Sequence, residues 1–569
     1  MGIVKSDHGM LAFPLRRLWT SVEADPERAR YCYLFPDLAN RPGAGLFPAT
    51  SASETLALLQ EFVSNYYPPE GMPPQIKMEL PAVYTYFGQF MNHDISAPVG
   101  GIEVDIGGLA PAGVIGADLL PDLAATGRAA SIAPILDHIV NEHAYPLSLT
   151  SLYAYGPCSG DPEVNALYDP DGMHFRLAST ATLPPQAMGQ TTQVHYNLIE
   201  RRTGAHDLPR TPEAALIADL RNDENLIISQ MHLAFMLLHN KTVDALHPQY
   251  PDPAACFAAA RQLVTLHYQW CILNDYLPQL LAPGVLDQVL QSPVRLPKPN
   301  QVPMEFTTVA FRFGHSMVGS DYDFNANFGR QGRVAPAASL GQLFAFTTRG
   351  RMAGLDVVQL PDHWVIDWGR LTRIAGTVGA DDERGSRAEK IDLNLANDMF
   401  NLREPDQSLA LRSIFLRNLL RGYHRRMPFG QDLARAYGLP VLTPEQVQNA
   451  IPDRPAADLP ELSLRQVAAR LGMLTHTPAW LYILCESQAR AGGAHLGATA
   501  SHIIAETVIG LLKQRPDTVL TTGPQSWHPQ TSPLKGVHGQ PLTSLRDLMK
   551  FAVAGTPNAA APDPGPRVG

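Results

Sequence analysis

The stretch "YTYFGQFMNHDIS" (84–96) decides the fold, because it sets Gln89 and His93 four residues apart in an otherwise apolar run. On a helix such a pair leaves one face, within about 6 Å along the axis. A second histidine, His315, stands far along the chain in "VAFRFGHSMVG" (309–319). Two further segments, "DLRNDEN" (219–225) and "RNLLRG" (417–422), carry arginines, a carboxylate and an asparagine in helical surroundings. Taken singly, each has an ordinary reading: a satisfied buried histidine, a surface arginine paired with Asp223 or Glu224, a core helix. Four such segments together predict one large, mainly α fold assembled around a shared site.

Length alone, 569 residues, suggests three or four domains. The spread of the four segments from residue 84 to beyond 418 argues instead for one large catalytic unit, drawn over 80–554. An N-terminal extension (1–79) would pack on it, and a Pro/Ala/Gly-rich tail (555–569) has the composition of a disordered end. Hydrophobic content of 45% and charged content of 17% fit a soluble globular chain with an ample core. A formal net charge of −10 argues against a nucleic-acid footprint or an anionic membrane surface. The five cysteines are widely spaced with no CxxC, so neither a zinc ribbon nor a redox pair is indicated. The N-terminus shows no apolar signal-peptide core, and no apolar run approaches the roughly 20 residues of a membrane span, which makes the cytoplasm the expected location.

Helices are expected at 51–67, over 211–247, over 254–281 with Pro278 ending or kinking it, and at 302–318, 407–421, 463–472, 476–492 and 498–514. The Pro/Gly-broken segment 97–127 reads as a loop insertion, and strand patterns are few. His232, His239 and His267 lie in helices, but no Glu-x-x-His accompanies them, so they read as core polar residues rather than a di-metal bundle.

The four segments match a buried iron porphyrin. A neutral imidazole at His93, over an open iron position, can take a proton from hydrogen peroxide and return it to the departing oxygen. Arg221 can stabilise negative charge on that oxygen in a dry pocket. His315 is the candidate iron ligand, tuned by whatever accepts its other ring proton. In these residues the chain resembles the animal-type haem peroxidase family of the peroxidase–cyclooxygenase superfamily. The stretches "HYQWCILNDYLP" (267–278), "WVIDWGRL" (364–371), "KIDLNLANDMFNL" (390–402), "IIAETVIGLL" (503–512) and "SLRDLMKFA" (544–552) follow in family order. The resemblance implies a haem b cofactor, hydrogen peroxide and a small-molecule electron donor as partners. It also implies Asn418 as the acceptor behind His315, with Arg312 and Arg421 near the haem and its propionates.

The pattern departs from the family in three places. Relatives link haem through an aspartate and a glutamate ester; Asn92 stands at the aspartate's position, whereas Glu224 matches the glutamate, so one ester or none is expected. Asn225 replaces the methionine through which one relative forms a sulfonium link. Asp94 matches a calcium aspartate, but Thr150 stands where its partner loop usually offers a carboxylate, so a calcium site would be weak or absent. Three functions follow. The first is a peroxidase. The second is a fatty-acid dioxygenase or cyclooxygenase-like oxygenase, disfavoured because Arg312 occupies the place of the radical-forming tyrosine. The third is a non-catalytic haem-binding protein, which has no need of Gln89 and Arg221 beside His93. The donor (halide, thiocyanate, phenol or similar) and the oligomeric state are not legible in the sequence.

Overall fold

In a computed structural model the described residues are 3–5, 12–14, 29–67, 77–99, 131–373, 386–400, 402, 413–522 and 527–560, apart from 142, 144, 158 and 189. Helices dominate, and the strands pair only two by two. The longest helices are Ala52–Tyr66, Val83–Ile95, Leu226–Leu246, Pro253–Cys271, Ala479–Ala491 and Ala498–Lys513. Ser51 and Glu54 form a capping box that starts the first of them. No helix among the described residues is long and apolar enough to cross a membrane.

Helix Val83–Ile95 positions the site, and its own apolar residues say where it sits. Phe90 stacks on Phe235 with ring centroids 4.8 Å apart, and Phe87 meets Tyr268 edge-on at 5.8 Å, so the helix lies against both Leu226–Leu246 and Pro253–Cys271. Strand Lys77–Pro81 leads into it and pairs antiparallel with Arg387–Glu389. Gly88 is needed where the helix meets Tyr276: a Cβ there would lie 2.3 Å from the tyrosine oxygen.

Two expected helices are shorter than the sequence suggests. The run 211–247 is helical only over Leu226–Leu246, preceded by a 3₁₀ turn, Leu220–Asp223. Asp219 and Asn225 accept the backbone N–H groups of Arg221 and Ile228, and these side-chain caps interrupt what periodicity alone would continue. The run 302–318 becomes a short helix, Met304–Thr308, then a 3₁₀ segment, Ala310–Met317. The β-branched run Thr307–Thr308–Val309 disfavours continuous helix, and Val309 sits at φ −122°, ψ −73°. The fourth segment is helical over Ile414–His424, started by Ser413, which accepts from Leu416 N; residues 407–412 lie outside the described residues. Pro278 does not end its helix. The chain passes through a π turn, Ile272–Tyr276, and then continues over Leu277–Leu280, absorbing the donor that proline lacks.

Residues 100–130, most of the expected insertion, lie outside the described residues, as does the end from 561. Asn558, inside the stretch expected to be tail, is buried and donates to His206 O at 2.9 Å. Near the other end, Glu305 accepts from Leu34 N and Phe35 N at 3.0 Å each, and Tyr33 donates to Arg425 O. Cys32, Cys256, Cys271 and Cys485 are buried and unpaired.

Candidate active site

One cavity brings three of the four segments together. Gln89, Asn92, Glu224, Asn225, Arg312 and His315 all line it, with about 840 Å³ between the atoms, its opening to solvent included. Apolar side chains supply most of the remaining wall, among them Phe311, Phe313, Met317, Val318, Leu340 and Phe344. A flat, largely hydrophobic group with a polar edge suits such a lining.

Around Gln89 the polar groups interlock. Gln89 Nε2 donates to Glu224 Oε2 at 3.3 Å, and Asn225 Nδ2 donates to Gln89 Oε1 at 3.1 Å. Arg349 Nη1 stands 3.8 Å from the other Glu224 oxygen. His93, one turn beyond Gln89 and fully buried, is not among the residues lining the cavity. Its Nδ1 donates to Asn222 Oδ1 at 2.9 Å, and Asn222 Nδ2 donates to His232 Nδ1 at 3.0 Å.

Arg221 is buried and does not line the cavity either. Its Nε and Nη2 grip Asp219 at 3.0 and 2.6 Å, while Nη1 and Nη2 donate to the carbonyls of Ser96 (2.8 Å) and His93 (2.9 Å). Burial by itself would raise the Asp219 carboxyl; Arg221 and His143 outweigh it and hold that carboxyl well below the ordinary carboxylate range. Asp223, the partner the sequence suggested for Arg221, is taken instead by Arg210 and by Thr348 N.

Arg312 Nε donates to Thr307 O at 2.8 Å, and Trp480 Nε1 donates to Arg312 O at 3.1 Å. Behind His315, Asn418 Nδ2 lies 2.9 Å from Nδ1, while Asn418 Oδ1, buried, has no hydrogen-bond partner. The two ends of an amide are nearly isosteric. Turning this one by 180° sets Oδ1 against Nδ1, makes the ring nitrogen the donor and leaves Nε2 bare, the form that ligates a metal. The residues therefore fit haem: an apolar slot, a histidine in its lining, and an amide oxygen waiting behind it. Arg421, one turn beyond Asn418, is buried but does not line the cavity.

The surroundings of Asp94 do not fit calcium. Oδ2 accepts from Leu149 N at 3.0 Å, and Oδ1 accepts from Ser151 N and Ser151 Oγ at 3.2 and 3.3 Å. Thr150 Oγ1 turns away to donate to Tyr145 O. No group of three or more His, Cys, Asp or Glu able to hold a metal occurs among the described residues. His239 and His267 are buried polar residues bonded to Tyr153 and Met173 O and to Ser532 respectively.

Asn222, Asp219 and Arg349 escaped the sequence reading. Asn222 and Asp219 sit within the quoted "DLRNDEN", yet nothing in spacing tells which polar residue of a short turn faces the neighbouring helix.

The fold is a mainly helical one around a single, largely apolar cavity. Residues 175–356, about a third of the chain, match the model of the animal haem peroxidase family. It is 29% identical over 114 residues to a peroxidase-like protein of Margaritifera margaritifera and 32% identical over 109 residues to the peroxidase mlt-7 of Caenorhabditis elegans. Each match covers 18% of this chain and only 14% and 15% of those relatives. The fold is similar to that of peroxidase A from Dictyostelium discoideum, with a TM-score of 0.54 and 16% identity over 88% of this chain and 91% of that one. It is also similar to the fatty acid alpha-dioxygenase of Oryza sativa, with a TM-score of 0.50 and 13% identity over 91% and 82% of the two chains.

Proposed function

We propose that the chain is a haem peroxidase, reducing hydrogen peroxide and oxidising a small donor such as a halide, thiocyanate or a phenol. The observation that carries this reading is one largely apolar cavity lined both by His315 and, from the helix that carries His93, by Gln89 and Asn92. Haem, when bound, would supply the iron at which peroxide is reduced and from which donors are oxidised.

His315 would hold that iron through Nε2, with Asn418 Oδ1 accepting the Nδ1 proton. A neutral amide draws less imidazolate character than a carboxylate, so the ferric state is favoured less than with an aspartate behind the ring. His93, one turn beyond the cavity-lining Gln89, would take the peroxide proton and return it to the departing oxygen. Arg221 acts at one remove: paired with Asp219, it grips the His93 and Ser96 carbonyls and holds the end of the helix that carries the base. Arg312, rather than a phenol, occupies the cavity wall one turn before His315, which favours a peroxidase over an oxygenase.

The absorption spectrum of the purified protein, before and after stoichiometric hydrogen peroxide, tests the reading. A Soret band that changes with peroxide and recovers with a donor is expected. His315→Ala should fold but lose the band, and full haem occupancy in that variant would overturn the ligand assignment.

A further inference from the structure

We infer that Asn222 is a positioning residue which sets the tautomer of His93, holding its proton on Nδ1 and keeping Nε2 as the basic nitrogen, with His232 anchoring the amide from behind. The role in catalysis rests on the peroxidase reading; the tautomer itself does not.

The argument starts from the asymmetry of an amide, which accepts at one end and donates at the other. Asn222 is fully buried between two buried imidazoles, with Oδ1 2.9 Å from His93 Nδ1 and Nδ2 3.0 Å from His232 Nδ1. In this orientation of the amide the oxygen cannot donate, so His93 Nδ1 carries the hydrogen. A neutral imidazole has only one, so Nε2 keeps its lone pair. The same logic runs the other way through His232, whose Nδ1 accepts and whose proton is therefore on Nε2. Burial lowers the His232 pKa to about 3, so that ring stays neutral and retains an accepting nitrogen throughout the working range. Turned by 180°, the amide would donate to His93 Nδ1 and move its proton to Nε2, leaving no base there. The two rings are thus coupled through one amide.

The amide is held in place by its turn. Asn222 N donates to Asp219 O at 3.0 Å, and Asp219 is clamped by Arg221, which also grips the His93 carbonyl. The orienting group and the base therefore move as one unit. A wrong tautomer removes a base without disturbing its position, and the loss in such cases reaches about 10⁴-fold.

The test labels histidine with ¹⁵N in the full-length chain and reads the His93 ring by two-bond ¹H–¹⁵N correlation. Bound haem is held ferrous and carbon monoxide-ligated, so that it is diamagnetic, and His93→Gln identifies the resonance. The wild type should show a protonated Nδ1 and a bare Nε2. Asn222→Leu should shift the proton towards Nε2 and slow the reaction with peroxide by at least about 10²-fold, while haem content stays the same. Asn222→Asp, which still accepts from Nδ1, should keep the wild-type ring pattern and recover much of the rate; this rescue is one that a merely structural role would not produce. A wild-type His93 protonated at Nε2, or a ring pattern unchanged in Asn222→Leu, overturns the inference. A chain that takes up no haem, or whose haem ignores peroxide, overturns the peroxidase reading instead, and the ring pattern is still decided by the same spectra.

Discussion

His93 and Arg221 were read from the sequence as partners in one step, and the geometry gives them different tasks. His93→Ala removes the base and should slow the peroxide reaction by about 10²–10⁴-fold while haem is retained, measured by stopped-flow absorbance. Arg221→Ala takes its arginine partner from the buried Asp219 carboxylate and leaves it His143 at 3.1 Å, and breaking a buried pair costs about 3–5 kcal/mol. Urea unfolding should show that loss, and a variant as stable as wild type would show that Arg221 is not a clamp. Glu224 carries a third expectation at this scale. It lines the cavity beside Gln89, as Asn92 does; a carboxylate can form an ester to haem and an amide cannot. Any covalent link should therefore run through Glu224, singly, after exposure to peroxide. Denaturing chromatography at the haem band should find the link abolished in Glu224→Gln, and a link at residue 92 or a doubly linked haem would show that this assignment is wrong. Residue types and helical spacing made Gln89, His93 and His315 legible as candidates, whereas Asn418 and Glu224 were offered only by the family resemblance. The partner of Arg221 was not legible, because three carboxylates lie within three residues of it and only packing chooses among them.

Among the elements, the meeting of helix Val83–Ile95 with the π turn Ile272–Tyr276 is the tightest joint near the cavity. Gly88→Ala would place its Cβ 2.3 Å from the Tyr276 oxygen and 3.2 Å from Cζ. Overpacking of this kind costs about 1–3 kcal/mol, and deleting the hydroxyl should relieve most of it. Gly88→Ala should therefore lower the unfolding midpoint, and Gly88→Ala with Tyr276→Phe should recover it. Equal losses in the single and double variants would place the strain elsewhere. Helix existence was largely readable from apolar periodicity; helix ends were not. The caps at Asp219 and Asn225 and the β-branched run at 307–309 turn two expected continuous helices into helix plus 3₁₀ turn. Those breaks place Asn222 against His93 and set His315 in the cavity lining.

Across the whole molecule, buried neutral histidines make stability depend on acid. Burial lowers the His239 pKa to about 3, and the ring is satisfied by Tyr153 and by Met173 O. Its folded pKa lies below its unfolded value near 6.5, so the unfolded chain binds the extra proton as pH falls. The contribution is complete above about pH 6.5 and declines from there towards pH 3, amounting to about 2 kcal/mol lost at pH 5. His239→Gln should remove that part of the slope, so comparing urea midpoints at pH 7 and pH 5 should show a smaller drop than in wild type. An identical drop would mean that His239 titrates normally in the folded chain. The sequence by itself determined the class of the fold, and it offered His93 and His315 as candidates through residue chemistry and spacing, with Asn418 and Glu224 added by the family resemblance. Only the tertiary structure decided that Arg221 grips Asp219 and two carbonyls rather than the cavity, that Asp94 is taken up by backbone donors, and that Asn222 stands between two imidazoles. A buried polar group takes whichever partner folding brings within about 3 Å, and that partner comes from a distant segment whose arrival no local pattern encodes.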